Sequence, residues 1–186
     1  MTNFVKDNFD RYATSYDKNA VVQKVMADEL FRILTKIDNN FKTILEIGCG
    51  TGYLSQILKK NLKYKKLILN DISNNMIDIV AKSINDSDTS YITGNFEDTQ
   101  INGRYSLVAS NATFQWFTNL DKSFSKIHKI LEDSGLLLFS IFVDGTFWEL
   151  DNSFKLAYND LNIPYQKMTL NFKSSNEVLD MLKKNK

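Results

Sequence analysis

One cysteine, one proline, one histidine and three arginines are all that this chain carries of those residue types in 186 positions. A lone cysteine has no partner for an internal disulfide, supplies no thiolate set for a zinc site, and suits a reducing compartment. The only proline, Pro164, marks no proline-rich hinge between domains. No apolar run approaches the roughly 18 residues of a membrane-spanning helix, and the opening MTNFVKDNFDRY lacks the apolar core of a secretion signal. Lys and Arg total 23 against 22 Asp and Glu, a formal net charge of +1. That balance creates no strong field toward nucleic acid or a membrane surface. Because the basic residues are nearly all lysine, bidentate readout of bases or phosphates is poorly served. The expectation is a cytoplasmic single domain, 1–186, with no nucleic-acid or membrane partner.

What the chain has instead is a regular alternation of apolar patterns, with 43% hydrophobic residues in all. Val21, Val22, Val25, Met26, Leu30, Ile33 and Leu34 form a helical stripe. Thr43–Ile47 reads as a buried strand stopped by glycines, and Leu54, Ile57, Leu58 and Leu62 return to helical spacing. Leu67–Leu69, Tyr91–Thr93 and Tyr105–Ser110 are the next strands. Asn74 or Asn75 is the expected cap of a helix through Met76 and Val80. A helix over Ser123–Leu131 then leads into the most apolar strand, Leu136–Phe142. Strands this apolar, alternating with helices, predict a doubly wound α/β fold with a mostly parallel sheet covered on both faces.

Ligands of such sheets bind beyond the carboxyl ends of the strands. Glu46-Ile47-Gly48-Cys49-Gly50-Thr51-Gly52 falls at one strand end, where glycines permit a tight turn and a close backbone approach. Asp71 lies 19 residues past Gly52, at the end of the next strand, where its carboxylate could accept both hydroxyls of a ribose. A packing turn and a helix-capping acid would explain the two features separately but not their spacing.

The spacing G-x-G-x-G with Glu46 before it departs from the dinucleotide pattern G-x-G-x-x-G. It resembles the first motif of class I S-adenosylmethionine-dependent methyltransferases, a Rossmann-like family. The resemblance implies that Glu46, Gly48 and Gly50 approach the methionine part of S-adenosylmethionine and that Asp71 holds its ribose. Asp71-Ile72-Ser73-Asn74-Asn75-Met76 resembles D-x-S-x-x-M, in which Ile72 and Met76 sandwich the adenine. Gly94-Asn95-Phe96-Glu97 resembles G-D-x-E, with Asn95 in place of the aspartate that meets the adenine amino group and Phe96 beside it. Asn111 would lie by the methionyl moiety. Leu131-Glu132-Asp133-Ser134-Gly135 resembles L-x-P-G-G without its proline and first glycine.

Two further segments narrow the resemblance. Phe9-Asp10-Arg11-Tyr12-Ala13-Thr14-Ser15-Tyr16-Asp17 is similar to F-x-x-A-A-x-x-Y-D, with Tyr12 replacing the first alanine. Ser110-Asn111-Ala112-Thr113-Phe114-Gln115-Trp116 and Gly145-Thr146-Phe147-Trp148-Glu149-Leu150 together resemble the malonyl-[acyl-carrier protein] O-methyltransferases of biotin synthesis. The implied reaction transfers a methyl group to the free carboxylate of a malonyl thioester, with malonyl-loaded acyl carrier protein as partner and no metal. Residues 1–40 would form a helical lid, 41–143 the S-adenosylmethionine core and 144–186 a substrate-side helical segment. Tyr16 would orient the acceptor carboxylate, and Gln115 and Trp116 would shape its pocket, although Phe114 and Trp116 also read as ordinary core. His128 reads as structural or solvent-facing and Cys49 as a small tolerated side chain. Lys59, Lys60, Lys63, Lys65 and Lys66, and separately Lys122, Lys126 and Lys129, read first as solvated faces and second as docking surfaces. Two alternatives stand beside this reading: a methyltransferase of another small molecule, and a subunit that binds S-adenosylmethionine without turnover. The two antiparallel strands that usually close such sheets are expected to be missing. The strand at Leu136–Phe142 would then be an exposed edge that pairs with a second copy or another chain, with impaired turnover.

Overall fold

The computed structural model describes residues 2–185. Two helices open the chain, α1 (Thr2–Asn19) and α2 (Val21–Leu34), followed by β1 (Thr43–Ile47), α3 (Tyr53–Asn61), β2 (Lys66–Asp71), α4 (Asn74–Ser83) and β3 (Thr89–Thr93). Then come β4 (Tyr105–Asn111), a single 3₁₀ turn at Phe114–Trp116, α5 (Leu120–Ile130), β5 (Leu131–Ser140), α6 (Trp148–Asp160) and α7 (Ser175–Lys184). The five strands are all parallel, in the order β3-β2-β1-β4-β5. The chain reverses direction across the sheet between β1 and β4, so their carboxyl ends diverge and leave a crevice.

Period-two alternation divides each central strand between two cores. Ile44, Leu67, Leu69 and Leu107 face Leu30 and Leu34 of α2, Leu54 and Leu58 of α3, and Val80 of α4. Their neighbours Leu45, Ile68 and Val108 face Phe124 and Ile127 of α5 and Val178 of α7. Each such side chain contributes about 1.5–3 kcal/mol by leaving water, so the doubly wound arrangement follows from strands that are apolar on both faces.

Several local expectations are revised. Ser73, not Asn74 or Asn75, caps α4: its hydroxyl accepts the Met76 N–H at 3.1 Å. Helix α5 begins earlier than Ser123, because the Asn119 side chain accepts the Lys122 N–H. Pairing on β5 jumps from Tyr105↔Leu131 to Leu107↔Leu136, a bulge that absorbs the Glu132-Asp133-Ser134-Gly135 turn. A Cβ on Gly135 would sit 2.8 Å from the Tyr105 carbonyl oxygen, so that turn admits only glycine. The strand ends at Ser140 rather than Phe142, and residues 168–172 form no strand. Among the described residues the sheet stops at β5, and α6 buries none of its residues. No described helix is long and apolar enough to cross a membrane.

Candidate functional site

The glycine loop leaves β1 at Ile47 and turns over the crevice with Gly48 at φ +71° and Gly50 at φ +55°. The Gly48 and Cys49 N–H groups both donate to the Asn70 carbonyl, at 2.8 and 3.0 Å, which ties the loop to the end of β2. A Cβ on Gly48 would lie 2.2 Å from Thr113 Oγ1, whereas one on Gly50 would meet only a Tyr16 ring carbon at 4.0 Å. Gly48 is therefore fixed by packing, and Gly50 keeps the loop backbone open toward the crevice.

Asp71 closes the other side. It is buried, and its Oδ2 accepts the Gly50 N–H at 2.8 Å while Oδ1 accepts the Ser73 N–H at 2.9 Å. Burial pushes its pKa up to about 6 against the opposing pull of these backbone donors. Asn70, also buried, donates through Nδ2 to the carbonyls of Ile92 and Gly94 at 3.0 Å each, which fixes the Gly94-Asn95 turn beside Asp71. Asn95 Oδ1 accepts the Glu97 N–H at 3.1 Å, so one lone pair of the expected acceptor is already engaged.

Glu46, on β1, is buried and its Oε2 has no hydrogen-bond partner. Burial first, and to a smaller extent the nearby Asp71, push its pKa up to about 8 against the opposing pull of the Ser55 hydroxyl. Across the crevice, Asn111 Nδ2 donates to the Gln23 carbonyl at 2.9 Å and its Oδ1 accepts from Ser140 Oγ at 2.6 Å. The following residue, Ala112, holds φ at +50°, a strained value for a residue with a Cβ, at the rim of the same crevice.

These elements line a cleft of about 700 Å³, a volume that includes space open to solvent. Of the residues singled out from sequence, Tyr16, Gly48, Gly50, Asp71, Ile72, Met76, Asn95, Phe96, Asn111 and Trp116 line it. Glu46 lines an adjoining recess that shares Tyr16, Gly48, Gly50 and Asn111 with the main cleft. Gln115 lines neither; its Nε2 donates to the Ala112 carbonyl at 2.6 Å. Phe114 is core, packed on Phe124 and Phe139, and His128 is exposed. Cys49 is buried, and burial raises its thiol pKa well above its usual value. Tyr16 is also shifted upward, by burial and the charges of Asp71 and Asp17, so its phenol stays protonated. Lys63 and Lys66 lie at the amino ends of the strands, opposite the cleft. Lys126 is used internally, donating to the Thr99 carbonyl at 2.6 Å.

Sequence reasoning missed Val5, Phe9, Asn70, Thr113 and Phe117 as lining residues. Phe9 meets Tyr16 edge-on at 6.1 Å and Trp116 at 5.9 Å, so three aromatic rings roof the cleft. A readable signal existed for Phe9, which stands seven residues before Tyr16 and hence on the same helix face.

A family model described as "Methyltransferase domain" matches residues 19–185, nearly all of the chain beyond α1. The chain belongs to the methyltransferase domain family. Among curated relatives of this methyltransferase domain, the malonyl-[acyl-carrier protein] O-methyltransferase of Priestia megaterium is 41% identical over 160 residues, 86% of this chain and 58% of the relative. The protein of the same description from Acetivibrio thermocellus is 37% identical, over 84% of this chain and 55% of its own. The chain thus spans a little over half the length of these relatives. Among solved structures, the N-methyltransferase NodS from Bradyrhizobium japonicum in complex with S-adenosyl-L-homocysteine superposes with a TM-score of 0.72 at 15% identity, over 96% of this chain and 84% of that one. That likeness establishes a shared fold.

Proposed function

We propose that the methyltransferase domain binds S-adenosylmethionine in the cleft and transfers its methyl group to the free carboxylate of a malonyl thioester carried on acyl carrier protein, in a cytoplasmic setting. The cofactor half of this reading is carried by one observation. Gly50 lies between two adjoining spaces, the main cleft, which Asp71 lines, and the recess lined by Glu46, whose buried Oε2 has no hydrogen-bond partner. The acceptor half is supported by the relatives' shared description at 41% and 37% identity.

The residues present suit S-adenosylmethionine. Asp71 offers carboxylate oxygens to ribose hydroxyls, Ile72, Met76 and Phe96 offer apolar contact to the adenine, and Asn95 Oδ1 keeps one lone pair free for its amino group. Glu46 would answer the ammonium of the methionyl part. When bound, the cosubstrate supplies an electrophilic methyl group on a sulfonium. A malonyl carboxylate, with a pKa of about 4 or below, is already ionised at neutral pH and needs no general base. What the chain must provide is alignment and exclusion of water. Phe9, Tyr16 and Trp116 provide the roof, and the protonated Tyr16 hydroxyl is available to orient the carboxylate. In this scheme residues 1–40 act as lid, 41–143 hold the cosubstrate and 144–186 face the acceptor side. Among the described residues no strand pairs with the outer side of β5, an edge that supports association with a second chain.

The test is incubation with S-adenosylmethionine and malonyl-acyl carrier protein, followed by mass spectrometry of the carrier. A malonyl methyl ester is expected. Transfer to other small acids or amines with the malonyl carboxylate untouched would overturn the acceptor assignment.

A further inference from the structure

Asp10 and Asp17 stand seven residues apart on α1, about two helical turns, and therefore share a face. Each reaches a buried hydroxyl next to a residue that lines the cleft, Ser73 beside Ile72 and Thr51 beside Gly50. Asp10 Oδ1 accepts from Ser73 Oγ at 2.5 Å, and Asp17 Oδ1 accepts from Thr51 Oγ1 at 2.7 Å. Ser73 is fully buried and Thr51 is 6% exposed, so both partners are fixed parts of the fold. The Asp10 backbone carbonyl also accepts from Asn75 Nδ2 at 2.8 Å.

The two partners are linked to each other through Asp71. Ser73 donates its N–H to Asp71 Oδ1, Gly50 donates its N–H to Asp71 Oδ2, and Thr51 is the residue after Gly50. Four hydrogen bonds, the Gly50–Thr51 peptide bond and the α1 backbone thus close a circuit: Asp10, Ser73, Asp71, Gly50, Thr51, Asp17 and back along α1. Phe9 and Tyr16 immediately precede the two acids and carry the same spacing, so seating the acids sets both rings over the cleft. Between them Ala13 is 2% exposed, small enough to let the helix lie close, while Tyr12 points outward at 54% exposure.

We infer that Asp10 and Asp17 are positioning residues that fasten α1 across the cleft at two points, coupling the seating of the aromatic roof to the carboxylate that receives the cosubstrate. The coupling half rests on the S-adenosylmethionine reading above; the fastening half does not. A ligand that holds Asp71 firms both fastening points, and the roof over the acceptor is held more tightly as a consequence of cosubstrate binding.

Amide hydrogen exchange of residues 3–19, with and without S-adenosylhomocysteine, tests both halves. It would compare the parent chain with Asp10→Ala, Asp17→Ala, the double alanine variant, the corresponding asparagine variants and the outward control Tyr12→Ala. Without ligand, Asp17→Ala should speed exchange in α1 by about tenfold, the lower end for a hydrogen bond to a charged group, and Asp10→Ala, which also loses the Lys6 ion pair and the Asn75 N–H, by at least as much. Asparagine, whose amide oxygen still accepts, should restore most of the protection, and Tyr12→Ala should change nothing. Unchanged exchange in the double alanine variant would overturn the fastening role. With ligand, α1 should slow further in the parent and asparagine variants but not in the double alanine variant. Protection around Asp71 without any change in α1 would overturn the coupling. A parent chain that binds no S-adenosylhomocysteine would instead sink the cosubstrate reading, and the ligand-free comparison would still decide the fastening. Circular dichroism of each variant separates local release from failure to fold.

Discussion

The Asp71 carboxylate accepts the Gly50 N–H at 2.8 Å, so the acid at the end of β2 and the glycine loop after β1 form one bonded unit. Removing the acid removes two things together: an acceptor for a ribose, and the anchor that holds the loop backbone beside it. Asp71→Ala should weaken S-adenosylhomocysteine binding by about 1–3 kcal/mol, the cost of truncating a hydrogen bond to a charged group. Titration calorimetry would measure it, and unchanged affinity would return Asp71 to a purely structural place.

The raised pKa of Asp71, about 6, gives this binding a pH dependence with a definite sign. The ionised form accepts from ribose hydroxyls and the protonated form competes with them. Affinity should therefore fall as pH drops below about 6, approaching tenfold per unit. Asp71→Asn should bind more weakly and show a flat profile across that window. Stability of the free protein runs the other way: the folded state holds its proton up to a higher pH than the unfolded chain. The contribution of Asp71 is thus most favourable in acid and declines as pH rises through about 6.

Glu46 supplies a second proton-linked signature. With its pKa near 8, it is mostly protonated at neutral pH in the free protein. A cationic ammonium placed against it stabilises the carboxylate, so binding should release close to one proton at pH 7. Calorimetry in buffers of different ionisation enthalpy measures that number directly. Glu46→Gln should abolish the release, lower affinity by about 1.5–3 kcal/mol, and leave the melting temperature nearly unchanged.

Gly48 is constrained twice. An alanine there would hold φ at +71°, a left-handed value costing about 1–2 kcal/mol, and would also collide with Thr113. Gly48→Ala should lower stability and cosubstrate affinity together. The pair Gly48→Ala, Thr113→Ala should recover only part of the loss, because the backbone cost and a 2.8 Å approach to the Thr113 Cβ remain. Denaturant titration of the three variants would resolve the two contributions.

The second core should be far less forgiving than the C-terminal helices. Phe124 is 2% exposed and packs edge-on against Phe114, so Phe124→Ala should destabilise by about 3–5 kcal/mol. Leu156, on α6, is 67% exposed, and Leu156→Ser should stay within about 0.5 kcal/mol. Equal losses at the two positions would contradict the burial described for them.

Most of the sheet was legible because its strands are apolar on both faces. Leu67-Ile68-Leu69 and Leu136-Leu137-Leu138 admit few other readings. The glycine loop and Asp71 were legible because their spacing is set by one strand–helix–strand unit. Local competition hid the α4 cap, since Ser73, Asn74 and Asn75 are all good capping residues and only the fold chooses among them. Gln115 reads as a pocket residue, but it does not line the cleft, and its Nε2 donates to the backbone carbonyl three residues earlier. The roof could not be read in full, because Asp10 and Ser73 are 63 residues apart and nothing periodic in the sequence announces their pairing.

The order β3-β2-β1-β4-β5 also sets a timetable for folding. The first strand synthesised becomes the centre of the sheet, and its second neighbour arrives long afterwards: Ser106 Oγ, which donates to the Thr43 carbonyl, is 63 residues further along. While the chain grows, β1, β2 and β3 can assemble with α3 and α4 as a half-sheet whose open flank is the side of β1 awaiting β4. That flank carries unpaired backbone groups, and closing it requires a long loop to be drawn in, a slow step for parallel sheets. The interval between synthesis of β3 and docking of β4 is therefore when a nascent chain of this protein is most exposed to misassociation with its neighbours.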